Sequence, residues 1–121
     1  MQNSAGPSFL ADCPTRLAVE ILADKWAVLV LFALSRHPCR HGELIDLIGG
    51  GLSRKVLTQT LRRLQQYGLV DRHAEAPRHV LYSLTDLGRT LSEPIDVLTH
   101  WADDNGRAIA DFQEAAEAER D

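Results

Sequence analysis

The chain has 121 residues, 45% hydrophobic and 25% charged, a balance typical of one globular domain and not of a disordered or collagen-like chain. Its formal net charge of -4 argues against a uniformly basic nucleic-acid binder. The charge is nevertheless uneven, since residues 1–35 sum to -1, residues 36–80 to +4 and residues 81–121 to -7. Residues 47–70 contain no Asp or Glu, and most cations of the chain are Arg, which suits phosphate and guanine contacts. The basic middle is therefore where a nucleic-acid contact is expected.

Several classes of protein are excluded by simple counts. Two cysteines, Cys13 and Cys39, are too few for a disulfide scaffold and lack zinc-ligand spacing. The N-terminus lacks the features of a signal peptide, and the longest apolar run is far shorter than the roughly 20 residues that span a bilayer. No phosphate-binding loop and no nucleophile–base pair is recognisable. We therefore expect a cytoplasmic protein that is not an enzyme, needs no cofactor or metal and does not contact membranes.

The first third of the chain predicts a loose tail and two helices. Residues 1–11 are expected to be flexible, and Asp12 is the predicted N-cap of a helix that ends near Leu22. Its inward-facing residues are predicted to be Leu17, Val19 and Ile21. Asp24 is the predicted N-cap of a second helix, from Lys25 to about Ser35, which is apolar nearly all round and so forms the centre of the core.

The middle of the chain predicts two helices joined by a glycine turn. A short helix is expected from His41 to Ile48, followed by a turn at residues 49–51 that tolerates positive φ. Ser53 is the predicted N-cap of the next helix, SRKVLTQTLRRLQQYG, which Gly68 ends. At about 100° per residue its apolar arc consists of Val56, Leu57, Thr60, Leu61, Leu64 and Tyr67. Its other arc carries Arg, Lys, Thr and Gln and no acid, which favours contact with DNA over the alternative of an ordinary solvated basic helix.

The last third predicts a hairpin and a long amphipathic helix. Residues 69–74 and 79–85 have strand character, and residues 75–78 suit the hairpin tip. Thr85 is the predicted N-cap of a helix that Pro94 bends and that Asn105-Gly106 ends. The apolar stripe of this helix consists of Leu87, Leu91, Ile95, Leu98 and Trp101. We therefore divide the chain into a tail (residues 1–11), a domain (residues 12–104) and an acidic helical tail (residues 105–121).

The order of these elements predicts a mainly α fold with a small β-hairpin, the winged helix-turn-helix. Four stretches also resemble the HxlR-type winged-helix transcriptional regulators, a MarR-related family. They are CPTRLAVEILADKW (13–26), RHGEL (40–44), LSRKVLTQTLRRLQQYGLVDR (52–72) and LYSLTDLGRTL (81–91). The chain departs from the family pattern in a wing about two residues shorter, in Leu81 where Glu is common, and in His41 where Phe is typical.

The resemblance implies a homodimer, built by the first and last helices, that offers two recognition helices and two wings to double-stranded DNA. The residues predicted to contact DNA are Ser53, Arg54, Lys55, Thr58, Gln59, Arg62, Arg63, Arg72 and Arg78. The last two flank the hairpin tip and are assigned to the wing. The long apolar stripe independently favours a dimer, although it could instead pack on its own subunit's core. The predicted interface consists of Leu17, Ile21, Leu87, Leu91, Ile95, Leu98 and Trp101.

Cys13 is a candidate redox sensor. It lies at a predicted helix start near Arg16, where a thiolate is stabilised, and the family resemblance implies a sensor cysteine in this place. The alternative is a small buried side chain, as most free cysteines are. Cys39 is either a second thiol or an ordinary loop residue, and the histidines near it form no recognisable metal site.

Two functions are therefore compatible with the sequence. The first is a sequence-specific DNA-binding repressor that binds a palindromic operator as a homodimer and responds to an oxidant, electrophile or other small-molecule effector through Cys13. The second is a winged-helix module that binds another protein and does not read DNA. The acid-free arc of the SRKVLTQTLRRLQQYG helix favours the first.

Overall fold

The computed structural model describes residues 14–120 and has the element order of a winged helix-turn-helix. The helices are α1 (Pro14–Ala23), α2 (Lys25–Arg36), α3 (His41–Ile48), α4 (Arg54–Gln66), α5 (Asp86–Arg89) and α6 (Ser92–Arg120), and the strands are β1 (Val70–Ala76) and β2 (His79–Leu84). The predicted fold class is confirmed. The expected tail, the Asp12 cap and Cys13 lie outside the described residues. Among the helices described, none is both long and apolar enough to cross a membrane.

Helix α2 is the centre of the core, as its all-round apolar sequence predicts. It packs against α1, α3, α4, α6 and β2. Its start is set by Asp24, whose carboxylate accepts hydrogen bonds from the backbone N–H groups of Trp26 and Ala27, each at 3.1 Å. Val30 and Leu31 are fully buried in the centre of the helix. The capped start and the buried face together fix α2 as the element on which the other helices are placed.

Helices α3 and α4 form the helix-turn-helix pair with the predicted bounds. All three glycines between them have positive φ, which side chains with a Cβ rarely adopt. Ser53 caps α4 by accepting a hydrogen bond from the Val56 N–H at 3.1 Å. The predicted inner arc of α4 is confirmed, because Leu57, Leu61 and Leu64 are buried in the core. The opposite arc of α4 is thereby held outward.

The wing is an antiparallel hairpin whose turn is shorter than expected. Strand β1 extends to Ala76, so that only Pro77 and Arg78 connect the strands, and an irregularity in the pairing lies between Ala74 and Ala76. A further bridge joins the wing to the rest of the domain. The Cys39 N–H donates to the Tyr82 carbonyl at 3.0 Å, and the Tyr82 N–H donates to the Cys39 carbonyl at 2.8 Å. The segment before α3 is therefore tied to β2 by one isolated antiparallel bridge.

The C-terminal helix differs from its prediction in two ways. The chain forms the short helix α5 and then restarts as α6, so that Pro94 lies in the first turn of α6 and does not bend it. A proline is tolerated there because the first-turn N–H groups have no helical partner. The predicted end at Asn105-Gly106 is wrong, because α6 continues to Arg120. Asn105 supports the continuation, since its Nδ2 donates to the Trp101 carbonyl at 2.9 Å.

Helix α1 packs less deeply than its sequence predicts. Only Ile21 of its three predicted inward residues packs against the core, whereas Leu17 and Val19 are exposed. The prediction that these two side chains face the core of their own chain is wrong. The physical reason is that α1 packs on the domain mainly through α2, and none of the α1 side chains is fully buried by this contact.

Candidate nucleic-acid interface

The outer face of α4 is a row of exposed hydrogen-bond donors. Arg54, Lys55, Gln59 and Arg62 are all exposed, and Thr58 is half-buried among them. The buried leucines on the opposite side fix the rotation of the helix, so these side chains point away from the core together. No carboxylate occurs on this helix to neutralise them. Such a face can donate to phosphates and to base edges in a major groove.

Arg63 does not belong to this row. Its guanidinium is paired with the carboxylate of Asp24, the residue that caps α2. The pair joins the C-terminal half of α4 to the start of α2, on the side of α4 away from Arg54. The sequence placed Arg63 at the edge of the polar arc and among the DNA contacts. In the structure its charge is already engaged within the protein.

Two predicted DNA contacts have hydroxyl groups that are used within the helix. The Ser53 hydroxyl serves as the N-cap acceptor for Val56. The Thr58 hydroxyl donates to the Arg54 carbonyl one turn earlier, at 2.9 Å. The part of Thr58 without a polar partner is therefore its methyl group, which is suited to a thymine methyl.

His41 is a residue of this site that the sequence analysis did not assign to it. As the first residue of α3, it lies across the helix-turn-helix from α4, and its Nε2 is 3.1 Å from the Thr58 Oγ1. Burial of the ring, followed by the positive charge of Arg54, lowers the pKa of His41, and a hydrogen bond to the Arg54 backbone opposes this shift. The available signal was the departure from the family's Phe at this position.

The two predicted wing arginines lie at different places. Arg78 is in the two-residue turn and is exposed at the tip. Arg72 does not flank the tip, because it lies inside β1 opposite Tyr82. The pairing of the extended β1 strand explains the difference. Only Arg78 therefore has the position expected of a tip contact.

The predicted dimer residues divide into exposed and internal ones. Leu17, Leu87, Leu98 and Trp101 are exposed, at 48%, 56%, 46% and 54%. Ile21 and Leu91 are partly buried against the core, and Ile95 is only 5% exposed. Ile95 is therefore a core residue of the single chain, in which α6 packs on α2, and its assignment to an interface stays a prediction. Other exposed apolar residues of α6, which the sequence analysis did not include, are Val97, Ile109 and Phe112.

An apolar groove begins at Pro14, the residue that follows Cys13. Its volume is about 260 Å³. The groove is lined by Pro14, Leu17, Ala18, Ile21, Tyr67, Leu69, Leu87, Thr90 and Leu91. It therefore connects α1 to the C-terminal end of α4 and to the helices that follow the wing.

Cys39 is a structural residue and not an exposed loop thiol. Its side chain is fully buried. Burial, followed by the negative charge of Glu43, raises the pKa of the Cys39 thiol, so that the reactive thiolate is disfavoured. Its Sγ lies 3.4 Å from the His37 carbonyl, to which the thiol donates. Within residues 14–120, no group of three His, Cys, Asp or Glu side chains is arranged to hold a metal ion.

Comparisons with known proteins identify the family. A model of the HxlR-like helix-turn-helix family matches residues 21–110. The chain is 39% identical over 106 residues to the uncharacterized HTH-type transcriptional regulator YtfH of Escherichia coli strain K12, covering 86% of this chain and 83% of that protein.

Two solved structures described as regulators are also similar. The redox regulator HypR in its reduced form is 25% identical, with a TM-score of 0.74, and the match covers 82% of this chain and 99% of that one. The quinone-bound YodB of Bacillus subtilis is 30% identical, with a TM-score of 0.65, and the match covers 76% of this chain and 99% of that one. With its winged helix-turn-helix fold, the chain belongs to the HxlR-like helix-turn-helix family and is a transcriptional regulator, not an enzyme.

Proposed function

We propose that the protein is a repressor that binds a palindromic DNA operator as a homodimer, with α4 as the recognition helix, and that Cys13 makes this binding sensitive to oxidants or electrophiles. The observation that carries the DNA-binding part is the outer face of α4, where four exposed donors stand together without a carboxylate. A protein-binding module would be expected to present an apolar or mixed-charge face at this place. The α4 face therefore favours DNA over a protein partner.

The roles within this face follow from position. Arg54, Gln59 and Arg62 are proposed to read base edges, since Arg and Gln pair with guanine and adenine in the major groove. Lys55 and the wing-tip Arg78 are proposed to contact phosphates, which add affinity without reading sequence. Arg63 is left out of this proposal because its charge is paired with Asp24.

The DNA-binding proposal is tested by fluorescence anisotropy on duplexes that the wild-type protein selects from a random library. Arg62→Ala should weaken selected duplexes by about 1–3 kcal/mol while changing random duplexes less. Arg78→Ala should weaken both and flatten the slope of log K against log salt by about one unit per lost contact. Arg107→Ala, a charge-matched change on the exposed part of α6, is the control and should change neither. Equal binding of selected duplexes by wild type and Arg62→Ala would refute the assignment of α4.

The proposed dimer uses the exposed apolar side chains of α1, α5 and α6. Leu17, Leu98 and Trp101 are about half exposed in a single chain although they are large and apolar. Contiguous exposed apolar surface commonly marks a contact with another molecule, and two-fold symmetric regulators match palindromic half-sites about 34 Å apart. A wild-type protein that sediments as a monomer at micromolar concentration would refute the dimer.

Support for chemical sensing comes from the relatives and from the groove at Pro14. HypR is described as a redox regulator, and YodB has been solved with quinone bound. The groove of about 260 Å³ is lined in part by Pro14, the residue that follows Cys13 in the sequence. Addition of a cysteine thiol to a quinone joins the sulfur to a ring carbon and passes the thiol hydrogen to the ring, which becomes a hydroquinone, and we propose Cys13 as the thiol that reacts.

Sensing is tested by operator binding before and after treatment with diamide, peroxide or a benzoquinone. Wild type and Cys39→Ser should lose affinity, and Cys13→Ser should keep it. A loss of affinity in Cys13→Ser equal to that of wild type would refute the role of Cys13. Repression is tested separately with a reporter placed behind the selected operator, whose expression should fall when the protein is present.

A further inference from the structure

The ring of His41 contacts Thr58 of α4, the helix proposed to read DNA. We propose that His41 is a positioning residue that holds Thr58 and the first turn of α4 for base reading and takes up a proton when DNA binds. This inference rests on the proposed role of α4 in reading DNA.

The hydrogen bonds around His41 indicate which ring nitrogen carries the hydrogen in the neutral imidazole. The Thr58 hydroxyl has one hydrogen, and it is directed to the Arg54 carbonyl at 2.9 Å. With that hydroxyl hydrogen engaged, the tautomer that carries a hydrogen on Nε2 satisfies the 3.1 Å contact between Thr58 Oγ1 and His41 Nε2, and the ring's hydrogen bond to the Arg54 backbone also needs a ring N–H. Nδ1 is consequently the nitrogen that receives an added proton. Protonation leaves the Nε2–H bond to Thr58 in place and strengthens it, because a charged donor makes a stronger hydrogen bond.

The charges around the ring determine when this proton is bound. Arg54 of α4 is the charged group that acts on the ring, and its positive charge disfavours protonation. On the α3 side, the Glu43 carboxylate is engaged with the Arg40 N–H at 2.9 Å. Strand β2 also packs on α3, and its titratable groups are the core residue Tyr82 and the exposed His79 beside the hairpin turn.

DNA binding changes this balance in one direction. When DNA binds, the phosphates around Arg54 offset its positive charge, which then opposes a proton on His41 less strongly. The negative potential of nearby phosphates acts in the same direction. The pKa of His41 is then higher in the complex than in the free protein, so the complex binds more protons. By linkage, affinity rises as the pH falls through the bound-state pKa and levels off below the free-state pKa.

Two variants separate positioning from simple packing. His41→Gln keeps a side-chain N–H donor for Thr58 but cannot titrate. His41→Phe restores the aromatic ring typical of the family and removes both the donor and the titration. A matched control is His100→Gln, which removes an exposed histidine on α6, distant in the sequence from the helix-turn-helix.

The experiment measures the affinity of each full-length protein for a selected duplex and for a duplex altered at the base pair nearest Thr58, between about pH 5 and 8, where histidine titrates. Wild type and His100→Gln should bind the selected duplex about tenfold more tightly at the acidic end, and at most one proton is taken up per His41. His41→Gln should lose this dependence and keep its discrimination between the duplexes. His41→Phe should lose both. The pKa of His41, followed by NMR through its ring signals, should rise when DNA is added.

Each outcome decides one proposal. A wild-type pH dependence retained in His41→Gln, or an NMR pKa unchanged by DNA, overturns the role of His41. The same follows if His41→Phe discriminates as well as wild type. If no protein prefers its selected duplex at any pH, the DNA-reading function of α4 is refuted instead, because His41→Gln retains the entire outer face of α4.

Discussion

Ile95 and Leu98 lie one turn apart on α6, and their exposure predicts opposite consequences for the same kind of truncation. Ile95 is 5% exposed and packs in the core, whereas Leu98 is 46% exposed. Ile95→Ala should therefore lower the free energy of unfolding of the subunit and leave the surface that meets a partner intact. Leu98→Ala should change the subunit little and weaken the proposed dimer.

The magnitudes follow from burial. Truncating a buried Ile to Ala costs about 2–5 kcal/mol, the sum of lost transfer free energy and the cavity left behind. For Leu98, complete burial of the side chain would be worth about 1.5–3 kcal/mol, and roughly half of its surface is still available to a partner. Each subunit should then lose about 1 kcal/mol, and a symmetric dimer about 2 kcal/mol. That loss corresponds to a dimer dissociation constant about 30-fold higher.

Two measurements distinguish the variants. Sedimentation equilibrium gives the dissociation constant, and urea unfolding at protein concentrations below that constant gives the stability of the subunit. We expect Leu98→Ala to raise the dimer dissociation constant and Ile95→Ala to lower the stability of the subunit. If Ile95→Ala weakened association while Leu98→Ala left it unchanged, the exposed stripe of α6 would not be the dimer surface.

Three further predictions concern single positions. Gly88→Ala should destabilise the domain by about 1–3 kcal/mol in thermal unfolding, since an added Cβ would lie 2.1 Å from the Leu69 carbonyl oxygen. Gly42→Ala should instead stabilise the domain by about 0.5–1 kcal/mol, because Gly42 lies in α3 with open space around it. In a Cys13→Ser background, the buried Cys39 should resist a thiol reagent until denaturant is added, and rapid labelling of the native protein would contradict its place in the core. Arg63→Ala should leave the salt dependence of DNA binding unchanged, because its partner is a carboxylate of the protein; a slope about one unit flatter would show that it contacts a phosphate.

The helix-turn-helix could be predicted from sequence because its signals are local. Asp24 and Ser53 cap the helices that follow them, and a run of glycines with positive φ separates α3 from α4. The rotation of α4 was also predictable, since a leucine face with helical period can pack on the core in only one orientation. These features depend on residues within a few positions of one another.

The missed features depend on contacts between distant parts of the chain. The ion pair between Arg63 and Asp24 forms only when α4 packs against the start of α2, and no local sequence pattern predicts that packing. The contact between His41 and Thr58 likewise joins residues 17 positions apart. The sequence assigned the whole apolar stripe around Ile95 to one interface. Helical periodicity shows which residues share a face of the helix, but it does not show which of them pack against the core of their own subunit. Asn105-Gly106 was a misleading end signal, since the helix continues without a break through both residues.

The bridge between Cys39 and Tyr82 limits the ways in which a signal can reach DNA. It ties β2 to the residues immediately before α3 through two backbone hydrogen bonds around a fully buried side chain. The wing is thus tied to the helix-turn-helix at two places, by this bridge before α3 and by the packing of β1 on α4, and we expect the two to move together. A perturbation at α1 then has little scope to bend the wing or rotate α4 alone. In the proposed dimer, we expect such a perturbation to alter DNA affinity by changing the spacing between the two subunits' recognition helices, so the response should depend steeply on the number of base pairs between half-sites.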